Sequence, residues 1–197
     1  MNTLFITGAN GDIGNNICNF FKEKGWFIIG TDIHDDSKNN KYIDEYYCCN
    51  LFFNNNIKAL MKKLIDKNRK INCIIHCAGY QVCKPVWEYT EEEWENSFNC
   101  NIHALFLIVK YGIEIIKKFD LNIINIGSIH SICTSKNIAS YSTSKAALVS
   151  LTKNLAIDLS SFNVRVNCIS PGAIDTKMLR QHLSDEQIEK MKEKHLI

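Results

Sequence analysis

Ser128, Tyr141 and Lys145 are the residues of this chain whose types and spacing best suit chemistry on an oxygen atom. Tyr141 follows Ser128 by thirteen residues and precedes Lys145 by four. Four residues make about one helical turn, so a helix running on from Tyr141 places phenol and ammonium on one face. A free tyrosine, with pKa about 10, is a poor base at neutral pH, and a nearby cation favours the phenolate. Such a tyrosine exchanges a proton with an oxygen near pH 7, and a serine hydroxyl beside it holds that oxygen in place. The chemistry implied is carbonyl to alcohol, or the reverse. Tyr80 and Lys84 share the spacing, but they precede Pro85 and have Lys67, not serine, thirteen residues upstream.

Such chemistry needs a hydride carrier, and the start of the chain offers a place for one. The apolar run TLFIT is followed by Gly8-Ala9-Asn10-Gly11-Asp12-Ile13-Gly14 and a helical pattern, NNICNFFKEKG, which Gly25 ends. Strand, glycine turn and helix present backbone N–H groups and a helix N-terminus to a pyrophosphate. A second strand, WFIIGTD, ends at Asp32, eighteen residues after Gly14. A carboxylate there accepts hydrogen bonds from ribose hydroxyls and repels a 2′-phosphate, which favours NAD(H) over NADP(H).

The elements that position these groups alternate along the chain. YYCCNLFF, a helix NNNIKALMKKLIDKNRK and a strand NCIIHCAG come first. Thr90-Glu91-Glu92-Glu93 is a capping box for a helix running to Lys118; the strands LNIINIGS and NVRVNCIS flank the Tyr141 helix. Repeated βα units with near-continuous apolar strands predict a doubly wound α/β fold, a parallel sheet covered by helices on both faces. One domain over residues 1–197 is expected, with 173–197 a lid on the substrate side; Ser184-Asp185-Glu186-Gln187 is a second capping box in it. The asparagine-rich patches at 38–41 and 54–56 read as loops or helix starts.

Composition excludes several classes. A formal net charge of +2 gives no strong field for nucleic acid or an anionic membrane. No apolar run approaches eighteen residues, so no membrane span is expected. Nine cysteines and a start, MNTLFITGANG, without a basic segment or cleavage pattern point to the cytoplasm. Cys73, His76 and Cys77 lie on a buried strand whose alternate residues face opposite ways, so no metal site is expected. Cys48 and Cys49 are expected to pack as small apolar groups.

In order along the chain, these residues resemble the short-chain dehydrogenase/reductase family over nearly the whole length. The glycine turn Thr7 to Gly14, the acid Asp32, the strand end His76-Cys77-Ala78-Gly79, Asn101, Ser128, Tyr141, Lys145, Pro171-Gly172 and Thr176 carry the resemblance. It implies that Tyr141 acts as general acid/base while Ser128 orients the carbonyl. Lys145 would hold the nicotinamide ribose and lower the Tyr141 pKa by about three units, worth about 4 kcal/mol. Asn101 would support a water in the proton path. Asn50, with Leu51, would meet the adenine, and Ala78, Gly79, Pro171, Gly172, Ile174 and Thr176 would line the nicotinamide side. The implied partner is a small alcohol or ketone, with homo-oligomers common to the family.

Three departures stand out. Asp12 occupies a position where glycine is usual, which adds negative charge near the pyrophosphate. His76-Cys77 replaces two asparagines, and Asn50 replaces an aspartate. The family usually continues through one more helix and a final strand; without them the last strand is expected to lie at an edge. The glycine spacing also resembles sugar-nucleotide epimerases and dehydratases of the same superfamily, and the short end leaves a non-catalytic NAD(H)-binding protein as a third reading.

Overall fold

The computed structural model describes residues 1–34 and 40–193; part of the 38–41 patch and the end of the expected lid lie outside them. The chain begins with β1 (Thr3–Thr7), α1 (Asp12–Glu23), β2 (Phe27–Asp32), β3 (Glu45–Cys48) and α2 (Asn54–Asp66). It continues through β4 (Cys73–His76), α3 (Glu91–Phe98), α4 (Ala104–Lys118), β5 (Leu121–Ile126) and α5 (Ala139–Asp158). β6 (Val164–Ile169), α6 (Lys177–Arg180) and α7 (Asp185–Lys192) complete it. All strand pairs are parallel, in the order β3-β2-β1-β4-β5-β6.

Local chemistry explains the boundaries. β1 is buried at all five positions, as a central parallel strand requires. Gly25, at φ +75°, closes α1 in a left-handed conformation that costs glycine little. Thr90 accepts from the Glu93 N–H while the Glu93 carboxylate accepts from the Thr90 N–H, which forms the expected capping box. Ser184 and Gln187 form the second box in the same reciprocal way.

Alternate strand residues feed two cores of unequal size. Phe5, Ile29, Ile74 and Ile123 pack with Leu60, Ile108 and Leu148 of α2, α4 and α5. On the opposite face Leu4, Ile6, Ile28 and Ile75 meet Cys18 of α1. The sheet is therefore covered on both faces, but unevenly: among the described residues α1 is the helix that packs extensively against β1 and β2 on its side. Towards β6 that face opens, and Ile169 is 54% exposed. An apolar groove of about 480 Å³ runs there between α1 and β6, lined by Ile13, Ile17, Phe20, Ile169, Pro171 and Ile174. Cys48 and Cys49 part company, Cys48 exposed and Cys49 buried, since neighbouring residues of an extended chain point opposite ways.

The helix from Glu91 to Lys118 is continuous and long and apolar enough to cross a membrane, yet Leu105, Ile108 and Ile116 on it are buried in the core. Its middle, Asn99–His103, is a π turn, which widens the helix by one residue. That turn faces the end of β4. There the fully buried His76 lies 3.1 Å through Nε2 from the Cys100 carbonyl oxygen, so Nε2 carries the hydrogen. Nδ1 then accepts from the Thr7 hydroxyl at 3.0 Å, whose oxygen accepts from the Cys77 and Ala78 N–H groups.

Burial, helped by the Lys145 charge, pushes the His76 pKa down from 6.5 to about 4. The folded imidazole is neutral, whereas the unfolded one takes a proton below pH 6.5; stability is lost as pH falls between 6.5 and about 4. The loss is about 3 kcal/mol from this group. Urea unfolding across that range should therefore show a flatter pH dependence for His76→Asn than for the unsubstituted protein. Equal slopes would refute the buried neutral histidine.

Candidate active site

The glycine turn is held by contacts that only glycine admits. Gly8 has φ +66°, and a Cβ on it would lie 2.7 Å from the Ala78 Cα. A Cβ on Gly14 would lie 2.0 Å from the Gly8 carbonyl oxygen, inside any possible contact. The turn is thereby pressed against both the end of β4 and the first turn of α1. Gly11 is the N-cap of α1 and provides no side-chain cap, so the first N–H groups of the helix stay open to an anion.

Asp32 fixes the other side of this turn. Its Oδ2 accepts from the Asn10 N–H at 2.9 Å and its Oδ1 from the Ile33 N–H at 2.7 Å. The Asn10 side chain is committed to the protein, donating to the Tyr46 hydroxyl at 3.1 Å and accepting from Asn40 at 3.2 Å. A cavity of about 620 Å³ opens between these elements. Gly8, Asn10, Gly11, Asp12, Ile13, Gly14, Asp32, Asn50, Leu51, Ala78, Gly79 and Thr176 line it. Its volume suits a cofactor-sized ligand. Ile33, His34, Phe52, Tyr80, Lys177 and Met178 also line it. Alternating strand ends gave no sign of the first four, which loops place, whereas Lys177 and Met178 are carried by α6. Asn50 spends one lone pair of its amide oxygen on the Phe52 N–H at 2.9 Å. Pro171 and Ile174 face the neighbouring apolar groove instead, and the Pro171 carbonyl accepts from the Ile129 N–H at 2.9 Å.

Gly79 joins this cavity to the predicted catalytic group. A Cβ built on it would stand 3.8 Å from Lys145 Nζ, 3.8 Å from Asn101 Oδ1 and 3.9 Å from Met178 Cε. Asn101, fully buried in the π turn, accepts from the Tyr80 N–H at 2.7 Å. Its amide donates to the Tyr80 carbonyl at 2.9 Å and the Ser144 hydroxyl at 2.8 Å. Asn101 thus ties the loop after β4 to α5, one residue away from Lys145.

Lys145 is 2% exposed and donates to the Ile126 carbonyl at 2.7 Å. Its Nζ is 5.7 Å from the centre of the Tyr141 ring. Burial lowers the Lys145 pKa below its ordinary 10.5, while the Cys100, Cys77 and Cys168 thiols act in the opposite direction. Ser128 opens a short 3₁₀ turn, its hydroxyl accepting from the His130 N–H at 3.1 Å. It lies near enough to the Tyr141 phenol to act on its pKa. The His130 ring lies edge-on to that of Tyr141 at 6.4 Å.

One electrostatic expectation is overturned. Burial raises the Tyr141 pKa above 10, and the Ser128 hydroxyl is what opposes the rise. The expected lowering by Lys145 does not dominate, because the ammonium points to the Ile126 carbonyl and is itself short of solvent.

The short chain dehydrogenase family model matches residues 2–187 of this chain. The chain belongs to the short-chain dehydrogenase/reductase family. This dehydrogenase is 32% identical to the 3-oxoacyl-[acyl-carrier-protein] reductase of Buchnera aphidicola subsp. Acyrthosiphon pisum, over 88% of this chain and 74% of that protein. It is 25% identical to cyclopentanol dehydrogenase of a Comamonas species, over 93% of this chain and 77% of the relative. Among solved structures, 4-hydroxyisoleucine dehydrogenase complexed with NADH superposes with TM-score 0.88 at 27% identity, covering 97% of this chain and 81% of that one. The structure of NAD⁺-bound xylitol dehydrogenase gives 0.82 at 26% identity, covering 91% and 74%. The protein is an oxidoreductase of CH–OH or carbonyl groups, with a fold that takes a nicotinamide dinucleotide.

The two glycine contacts set a direct test of the turn. Gly14→Ala should lower the unfolding free energy by about 3 kcal/mol, because Gly8 backbone must shift to admit a methyl group. A Cβ on Gly11 meets only the Gly8 oxygen at 3.4 Å, so Gly11→Ala should cost about 1 kcal/mol or less. Urea melts of the two variants compare them, and equal losses would contradict the close approach.

Proposed function

We propose that this dehydrogenase interconverts a small alcohol and its carbonyl compound with NAD(H), using Tyr141 as general acid/base. The observation that carries the reading is that Lys145 Nζ stands 3.8 Å from where a Cβ on Gly79, a residue lining the dinucleotide-sized cavity, would lie, and 5.7 Å from the centre of the Tyr141 ring. When bound, the nicotinamide ring supplies or accepts the hydride at the substrate carbon. The protein's part is to bind, orient and move one proton.

Ser128 donates its hydroxyl hydrogen to the substrate oxygen and holds it towards the phenol. In reduction, Tyr141 gives its Oη proton to that oxygen; in oxidation, the Tyr141 phenolate takes the proton back. Lys145 uses one hydrogen on Ile126 and keeps two for the ribose hydroxyls of the cofactor. Asn101 supports the Tyr80 loop from below, and a water beside it would carry the exchanged proton outward. The open N–H groups at the start of α1 would hold the pyrophosphate.

Asp32 supports NAD(H) over NADP(H). Its two oxygens are fixed by backbone N–H groups, yet each retains a lone pair for a ribose hydroxyl. A 2′-phosphate at that place would meet a fixed carboxylate of like charge. NADH complexes of 4-hydroxyisoleucine dehydrogenase and NAD⁺ in xylitol dehydrogenase are consistent with this choice.

Tyr141→Phe should lower kcat by about 10²- to 10⁴-fold with NADH affinity unchanged. Because burial raises the phenol's pKa, oxidation by the unsubstituted protein should climb with pH above neutrality while reduction does not. Steady-state rates on an alcohol and ketone panel read both, and full turnover in the phenylalanine variant would rule out Tyr141 as the acid/base. In parallel titrations, NADH should bind tighter than NADPH, and Asp32→Ser should narrow the gap by about tenfold, or about 1.4 kcal/mol. An unchanged ratio would remove Asp32 from cofactor choice.

A further inference from the structure

Asp12 makes a contact that its place in the sequence does not announce. Its Oδ2 accepts from the backbone N–H of Lys177, 165 residues later, at 2.6 Å. Lys177 is the first residue of α6, and Thr176, Lys177 and Met178 form a wall of the cavity facing Gly11 and Asp12. The other hydrogen bonds of residues 172–193 are internal to that segment: Arg180 to Asp175 and Asp185, Lys190 to Glu186, Lys192 to Glu189, and the Ser184–Gln187 box. Among the described residues, Asp12 to Lys177 is the one hydrogen bond that joins this segment to the rest of the protein.

We infer that Asp12 is a positioning residue, a latch that holds residues 176–178 closed over the dinucleotide cavity and sets how long the cofactor stays. The inference rests on the dinucleotide reading of that cavity. A carboxylate accepting an N–H makes one of the stronger hydrogen bonds, whereas the exposed ion pairs within the segment hold it weakly. Ile188, 4% exposed, is the one buried apolar side chain among the described residues of this segment, so removal of the segment's one strong hydrogen bond to the rest of the protein changes its open population directly. The same carboxylate repels an incoming pyrophosphate, so Asp12 acts in two opposed ways: it slows the release of bound cofactor and weakens its charge environment.

Three substitutions separate the two actions. Asp12→Asn removes the charge and keeps an oxygen acceptor. Asp12→Ala removes both. Lys177→Pro removes the donor and leaves Asp12 intact; proline fits the first position of a helix, and the preceding Thr176 is already extended at φ −139° and ψ 163°. Trypsin cleavage after Arg180 in the cofactor-free protein reads the latch itself, and stopped-flow release of NADH reads its consequence.

Asp12→Ala and Lys177→Pro should each speed both processes by about tenfold. Asp12→Asn, with a neutral oxygen acceptor, should fall between the unsubstituted protein and Asp12→Ala in cleavage and release NADH more slowly than Asp12→Ala. Equal cleavage in all four proteins, or Asp12→Asn behaving as Asp12→Ala, would overturn the latch. Should the unsubstituted protein not bind NADH, the dinucleotide reading fails, while the cleavage pattern still decides whether Asp12 holds the segment.

Discussion

A lysine ammonium buried to 2% exposure, with a single carbonyl as its hydrogen-bond partner among the described residues, is the constraint on which the site depends. An isolated buried charge is costly, and proteins keep one only where other polar groups or a ligand complete its shell. The neighbourhood of Lys145 is arranged around that cost. His76 is kept neutral, and the Cys77 and Cys100 thiols are pushed up to about 11 and about 12 by burial, so no competing charge forms beside it. Among the described residues the other two Lys145 ammonium hydrogens have no partner, and Nζ stands 3.8 Å from where a Cβ on Gly79 would lie.

Across the cavity the balance of charge is reversed. Asp12 and Asp32 both carry carboxylates at the turn that would receive a pyrophosphate, and each is anchored by backbone N–H groups. The open first turn of α1 opposes them with the positive end of its dipole. On the proposed reading, selection and affinity fall on different atoms: helix N–H groups would attract phosphate and Asp32 would discriminate at the ribose, while Asp12 joins the turn to the segment above it.

The sheet was legible in the sequence because near-continuous apolar runs such as TLFIT and CIIH are what a strand buried on both faces requires. The glycine turn and the proximity of Tyr141 to Lys145 were legible for a different reason: close backbone approach fixes residue type in the one, and helical spacing fixes the distance in the other. What stayed hidden depends on distant parts of the chain. Nothing near Asp12 names Lys177 as its partner, and nothing near Tyr141 reveals that burial outweighs the lysine. The uneven cover of the sheet was likewise unreadable from strand patterns, since β6 alternates buried and exposed residues without saying what lies over the exposed ones.

The π turn at Asn99–His103 gives the long helix two phases. An α-helix turns about 100° per residue, and the wider ring accommodates one residue more than a regular turn. The half before it packs on α5 and the half after it on α2, two partners that a uniform helix would address with one fixed stripe. In effect a single extra residue acts as a phase shifter, re-indexing every later side chain while the axis runs on. Asn101 sits inside that shift, so the register of fifteen α4 residues against the core and the aim of one amide at the site are set by the same local widening.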